Sequence, residues 1–240
     1  MRKSVKQQLA LRVLSTAALM AMVSSIATAA FAAEYNVKDG SVEIVAKDGI
    51  QSITQRDDTG AFVKDEKGDI DHRQDDNIIL TTKKKDTGET ETTSNTVTIT
   101  AEDGNTANVT LQDVHIETEG SWNNTGSAPI EIKGNGDTKL ELNGDNTVLS
   151  GDRHHAAIEK ADKNGHGTLT IKDDLNDNNS TPKDKDENGN AAGGDTGKLL
   201  AGGYGDGAGI GGGSSDLADT SNITIKGGEI TARGGYEDGA

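Results

Sequence analysis

The chain has 240 residues, enough for a sizeable core, yet only 31% of it is apolar and 2% aromatic, while 31 residues are glycine. That balance disfavours a thick, aromatic-filled core and suits a thin one made of short aliphatic strands. Acidic residues number 40 against 24 basic, a formal charge of −16, which argues against nucleic acid and anionic membrane surfaces as partners. With no cysteine, disulfides and cysteine-type zinc or iron–sulfur sites are excluded.

Residues 1–32 hold four basic side chains, Arg2, Lys3, Lys6 and Arg12, and no acid. A basic start, an apolar stretch from Val13 to Ile26 and an A-x-A site at Ala30-Phe31-Ala32 read as a secretory signal. The mature chain is therefore expected to begin near Ala33 and to be exported to the extracellular or cell-envelope surface. The stretch is too short and too rich in Ala and Ser to span a bilayer well, and no other long apolar segment follows, so no membrane insertion is expected within this chain.

Residues 33–94 open with Tyr35-Asn36-Val37 and an alternating run, Ser41-Val42-Glu43-Ile44-Val45. From Arg56 to Ser94 the chain is polar and charge-dense, with one apolar island at Ile78-Ile79-Leu80. Such composition reads as loop or linker.

From residue 95 to 240 a pattern recurs. One strand type is Val97-Thr98-Ile99, Ile130-Glu131-Ile132, Ala157-Ile158 and Ala208-Gly209-Ile210. A second follows each at a spacing of 10 to 13 residues: Val109-Thr110-Leu111, Leu140-Glu141-Leu142, Leu169-Thr170-Ile171 and Ile223-Thr224-Ile225. A third apolar spot comes next, at Val114 with Ile116, Val148 with Leu149, Leu175, and Ile230. Three short alternating strands per unit of about 30 residues, separated by Gly, Asn and Asp turns, predict an all-β fold, a right-handed parallel β-helix of about four to five coils. An antiparallel sandwich also alternates, but it has no reason to repeat its loop lengths. Inward stacks are expected to run Val97, Ile130, Ile158, Ile210 on one face and Val109, Leu140, Leu169, Ile223 on the next. Residues 173–203 read as an acidic Asn/Asp/Gly-rich insertion. Tyr236-Glu237-Asp238-Gly239-Ala240 repeats Tyr204-Gly205-Asp206-Gly207-Ala208 at a distance of 32 residues, as if another unit were beginning, so the chain is expected to be part of a longer polypeptide.

The segments Asp206-Gly207-Ala208-Gly209-Ile210-Gly211-Gly212-Gly213 and Ile223-Thr224-Ile225-Lys226-Gly227-Gly228-Glu229-Ile230-Thr231-Ala232 resemble the alternating repeats of bacterial carbohydrate-binding-domain proteins, surface β-helix proteins. Gly167-Thr168-Leu169-Thr170-Ile171-Lys172 is similar to their strands. The resemblance covers residues 95–240, departs at 173–203, and implies polysaccharide binding at a cell surface. Similar repeats also occur in adhesins and autotransporter passengers.

Three groups of residues are candidates for chemistry. The oxygen donors Asp184, Asp186, Asn188 and Asp195 fall at positions 1, 3, 5 and 12 of a loop that has Gly189 at position 6 and Asn190 beside it, a spacing that suits Ca²⁺. Position 12 is Asp rather than Glu and the flanks are not helical, so a solvated acidic insertion fits equally. Aromatic faces meet the C–H faces of sugar rings, which singles out Trp122 in a polar loop and the matched Tyr204 and Tyr236 as carbohydrate contacts. Packing over a neighbouring turn is their alternative. Glu131 above Glu159 on adjacent coils is the one carboxylate pair that a polysaccharide lyase or hydrolase of β-helix fold could use. The reading is of a non-catalytic surface module that binds a glycan or serves adhesion, with a β-helix enzyme and a ligand-free stalk as its rivals.

Overall fold

The structure, a computed structural model, describes residues 33–120, 126–161, 166–174, 184–185, 191–192, 196–213 and 221–235. In chain order, β1 (Glu34–Asn36) leads through a short 3-10 turn into β2 (Ser41–Lys47), β3 (Ile50–Arg56), β4 (Lys64–Asp65), β5 (Gly68–Asp69), β6 (Arg73–Gln74), β7 (Ile78–Thr81) and β8 (Thr92–Thr93). A regular series follows: β9 (Val97–Ala101), β10 (Thr106–Gln112) and β11 (His115–Glu117), then β12 (Ile130–Lys133), β13 (Asp137–Asn143) and β14 (Asp145–Leu149). Next come β15 (Ile158–Lys160), β16 (Leu169–Lys172), a small hairpin of β17 (Asp184–Lys185) and β18 (Ala191–Ala192), and β19 (Lys198–Gly202). The last three are β20 (Ile210–Gly211), β21 (Ile223–Ile225) and β22 (Glu229–Arg233). Among the described residues there is no α-helix, and no helix long and apolar enough to cross a membrane.

These strands form three large sheets. The first has the order β20-β15-β12-β9-β2-β3-β6, the second β1-β7-β10-β13-β16-β21, and the third β22-β19-β14-β11-β8. All pairings are parallel except β2 with β3 and β3 with β6. Consecutive strands are dealt to the first, second and third sheet in turn, so hydrogen-bonded neighbours belong to successive repeats. Five repeats result: β2/β7/β8, β9/β10/β11, β12/β13/β14, β15/β16/β19 and β20/β21/β22.

The stack thus begins well before residue 95, inside the segment that composition reads as linker. The apolar island at Ile78-Ile79-Leu80 is β7, buried throughout, and the polar stretches beside it are excursions between strands. The third sheet likewise reaches into 173–203: β19 pairs with β14 through Asn146↔Leu199 and Val148↔Ala201. Leu199 and Ala201 supply the fourth repeat's apolar contribution to that sheet, and Leu175, expected there, lies outside the described residues.

Alternation along each strand places Val, Ile and Leu on the buried side and Thr, Lys and Glu on the other. In the first sheet Val97, Ile130, Ile158 and Ile210 are in register, as the repeat predicts. In the second, Val109 faces Leu140, but Leu140 faces Ile171, and Leu169 faces Thr138. The step stays at 31 residues, so the fourth repeat enters its strand two residues later than alignment of the apolar triplets suggests. A two-residue slip preserves the inward face. Ile99, Leu111, Ile130, Leu140, Ile158 and Leu169 are fully buried, each contributing about 1.5–3 kcal/mol of transfer free energy.

The inward face also carries polar side chains, Thr138 and Asn146 among them. Asn146 is buried, accepts from Val114 N at 3.0 Å and donates to Asn143 O and Lys198 O at 3.0 and 3.1 Å. Its amide therefore ties three successive repeats together where the chain passes from the second sheet to the third.

Candidate functional site

The passage from the second sheet to the third is a sharp turn in the second, third and fifth repeats. Asp113, Gly144 and Gly228 take the left-handed conformation there, with φ of 51°, 61° and 87°. A Cβ on Gly144 would collide with the Asp113 carboxylate of the preceding repeat, so the turns are stacked in contact. The Asp145 amide donates to Asp113 Oδ1 at 3.0 Å, the Lys198 amide to Gly144 O at 2.8 Å and the Glu229 amide to Gly197 O at 2.9 Å.

An open, polar cleft of about 630 Å³ lies over these turns. Every repeat contributes to it: Lys83 from the first, Gln112 and Asp113 from the second, Asn143 and Asp145 from the third, Thr196 and Lys198 from the fourth, and Glu229 from the fifth. Lys83 Nζ is 2.5 Å from Asp113 Oδ2, and Lys198 Nζ is 3.2 Å from Asp145 Oδ1. The Asn143 side-chain amide donates to Gln112 Oε1 at 3.2 Å, one repeat away. The cleft is thus a row of amides, a hydroxyl and ion pairs, and among the described residues no aromatic side chain lines it.

None of these residues was a sequence-level candidate. A signal was present, since Gln112-Asp113 and Asn143-Gly144-Asp145 recur 31 residues apart at equivalent strand ends. Lys83 was hidden in a charge run, and Thr196 and Lys198 in the apparent insertion.

Of the expected carbohydrate contacts, Tyr204 falls in the passage from the third sheet to the first. Tyr204 lies in the turn between β19 and β20, with 37% of its surface exposed. The turn rests on the one before it through Asp206 N to Arg153 O at 2.8 Å, and the next rests on it through Gly235 N to Gly207 O at 2.8 Å. A Cβ on Gly207 would strike His155 O, and one on Gly235 would strike Gly205 O. Close backbone approach therefore explains the glycines around Tyr204. Trp122, in the segment joining β11 to β12, and Tyr236, after β22, lie outside the described residues.

Of the expected calcium ligands, Asp184 belongs to β17 and pairs antiparallel with Ala192, while Asp186, Asn188, Asn190 and Asp195 lie outside the described residues. Among the described residues no group of three His, Asp or Glu is arranged to hold a metal ion.

Glu131 and Glu159 are direct neighbours in the first sheet, as the coil spacing predicts. Glu131 pairs with Lys133 Nζ at 2.7 Å. Glu159 is buried, accepts the Ala156 amide at 2.9 Å and lies 3.0 Å from His155 Nδ1. That hydrogen bond holds His155 above the usual histidine pKa, although burial pulls the other way. Asp152, also buried, accepts from the amides of Gly126 and His154. Glu159 binds a backbone amide of its own corner, and Asp152 binds one of its own and one of the preceding repeat, so both carboxylates hold backbone in place.

No protein-family model, curated protein or solved structure matches this chain.

Proposed function

We propose that the three parallel sheets are the faces of a right-handed parallel β-helix, and that the chain is an exported bacterial surface module that binds carbohydrate, or serves adhesion, without catalysis. Regular dealing of strands to three sheets, with steps clustering at 31 to 33 residues, supports the helix, and the strong preference of parallel crossovers supports its hand. A basic, then apolar, then A-x-A start supports export. The observation that carries the binding reading is the polar cleft crossing all five repeats, whose amides, hydroxyl and carboxylates match the hydrogen-bonding needs of sugar hydroxyls.

The test is retention of the full chain on a panel of insoluble polysaccharides, with calcium and with chelator, while soluble reducing ends are assayed. Retention on a glycan without sugar release is expected. Sugar release that disappears in Glu131→Gln or Glu159→Gln would replace this reading with an enzyme, and a folded chain retained on nothing would replace it with a stalk. Loss of retention in chelator would assign Ca²⁺ to the loop from Asp184 to Asp195.

A further inference from the structure

Building on the carbohydrate-binding reading, we infer that the cleft takes a single, linear, uncharged polysaccharide chain laid along the stacking direction, across the strands, with about one sugar residue per repeat. Direction comes from the lining. Lys83, Gln112, Asn143, Lys198 and Glu229 come from five successive repeats, each at the edge where the second sheet gives way to the third. Parallel neighbours lie about 4.8 Å apart, so four steps give a cleft about 19 Å long. This spacing is close to the length of one pyranose residue in an extended chain, so each repeat meets an equivalent part of the ligand.

The cleft is open to solvent along its length, so a single sugar chain can lie in it without threading. A crystalline polysaccharide face would need a flat aromatic platform, and among the described residues the lining has none.

Charge decides among chains. Both lysines of the cleft already face carboxylates, Lys83 with Asp113 and Lys198 with Asp145, and Glu229 adds a further negative charge. A uronic or sulfated polymer would meet net repulsion from the cleft and from a chain of formal charge −16. Neutral hydroxyls exchange hydrogen bonds with the amides and carboxylates at no such cost.

Titration calorimetry with neutral linear gluco-, xylo- and manno-oligosaccharides of two to eight residues, and with oligogalacturonates of equal length, tests this. Affinity for one neutral series should rise with each residue up to four or five and then level, with oligogalacturonates at least about tenfold weaker. Asn143→Ala should weaken binding about five- to tenfold. Thr196→Arg, an exposed position, should block the cleft and abolish binding with an unchanged circular dichroism spectrum, whereas Tyr204→Ala should leave affinity unaltered. Affinity independent of length, or stronger binding of the acidic series, overturns the inference. If Tyr204→Ala abolishes retention on polysaccharide and Thr196→Arg does not, the glycan-binding reading stands and the cleft is not its site. If the folded chain binds no glycan at all, both fall.

Discussion

The two ends of the stack treat their outermost strands differently. At the N-terminal end β3 runs antiparallel to β2 and β6 antiparallel to β3, and buried glutamines replace strand neighbours. Gln51 donates to Asn108 O at 3.0 Å and accepts from Asn108 N at 2.6 Å, occupying the place a strand would take beside β10 before β7 begins. Gln55 donates to Asn36 O and Gly40 O. Tyr35 is buried, its hydroxyl 3.0 Å from Asp75 Oδ2. At the other end β20, β21 and β22 are the outermost members of their sheets. Ile171 and Ile225 are register neighbours in near-identical Leu-Thr-Ile and Ile-Thr-Ile strands, yet Ile171 is fully buried and Ile225 is 54% exposed. Burial here is conferred by the next repeat, and a strand's own sequence does not secure it.

The largest expected effect sharpens this contrast. Leu140→Ala, in the middle of the second sheet, should lower unfolding free energy by about 2–5 kcal/mol in urea, while Ile225→Ala should cost under about 1 kcal/mol. Equal costs would mean that the last repeat is as well packed as the third. Gln51→Leu should cost about 1–3 kcal/mol by leaving the Asn108 backbone groups without their partner. Amide exchange should then accelerate first in β10 and β7 and leave β16 unchanged.

Gly144→Ala forces a Cβ onto a left-handed residue against Asp113 and should cost about 1–3 kcal/mol. It should weaken glycan retention as well, because the same turn lines the cleft. The smallest effect is a pH dependence confined to the closed end. Burial, reinforced by the charge of Asp75, raises the Tyr35 pKa above its ordinary value near 10. The unfolded chain therefore loses this proton first, and the associated stability is complete below about pH 10 and declines as pH rises through the folded value. Comparison of urea midpoints at pH 8 and pH 10.5 should show a larger drop in the native chain than in Tyr35→Phe.

Periodicity made the second and third repeats of the first two sheets legible, because apolar residues there fall in uninterrupted triplets such as Ile130-Glu131-Ile132. The first repeat was obscured because its strands are separated by polar excursions, including the β4–β5 hairpin. The third sheet was obscured because its inward positions include Asn146, Ala201 and Ala232, which carry little hydropathic signal. The cleft escaped notice for a related reason. Its members are ordinary polar turn residues, and only stacking gathers them into one row.

Among the described residues, parallel pairings join residues 23 to 55 positions apart, with a cluster at 31 to 33 as in Thr106↔Asp137 and Val97↔Ile130. Sequence separation therefore does not grow in proportion to the number of repeats, and because loop-closure entropy rises only logarithmically with length, the cost of closing each new loop stays within about 1 kcal/mol of the others. Each completed repeat offers a ready edge to its neighbours, so folding that nucleates in one repeat can spread along the stack, its duration lengthening with the number of repeats while its individual steps remain local.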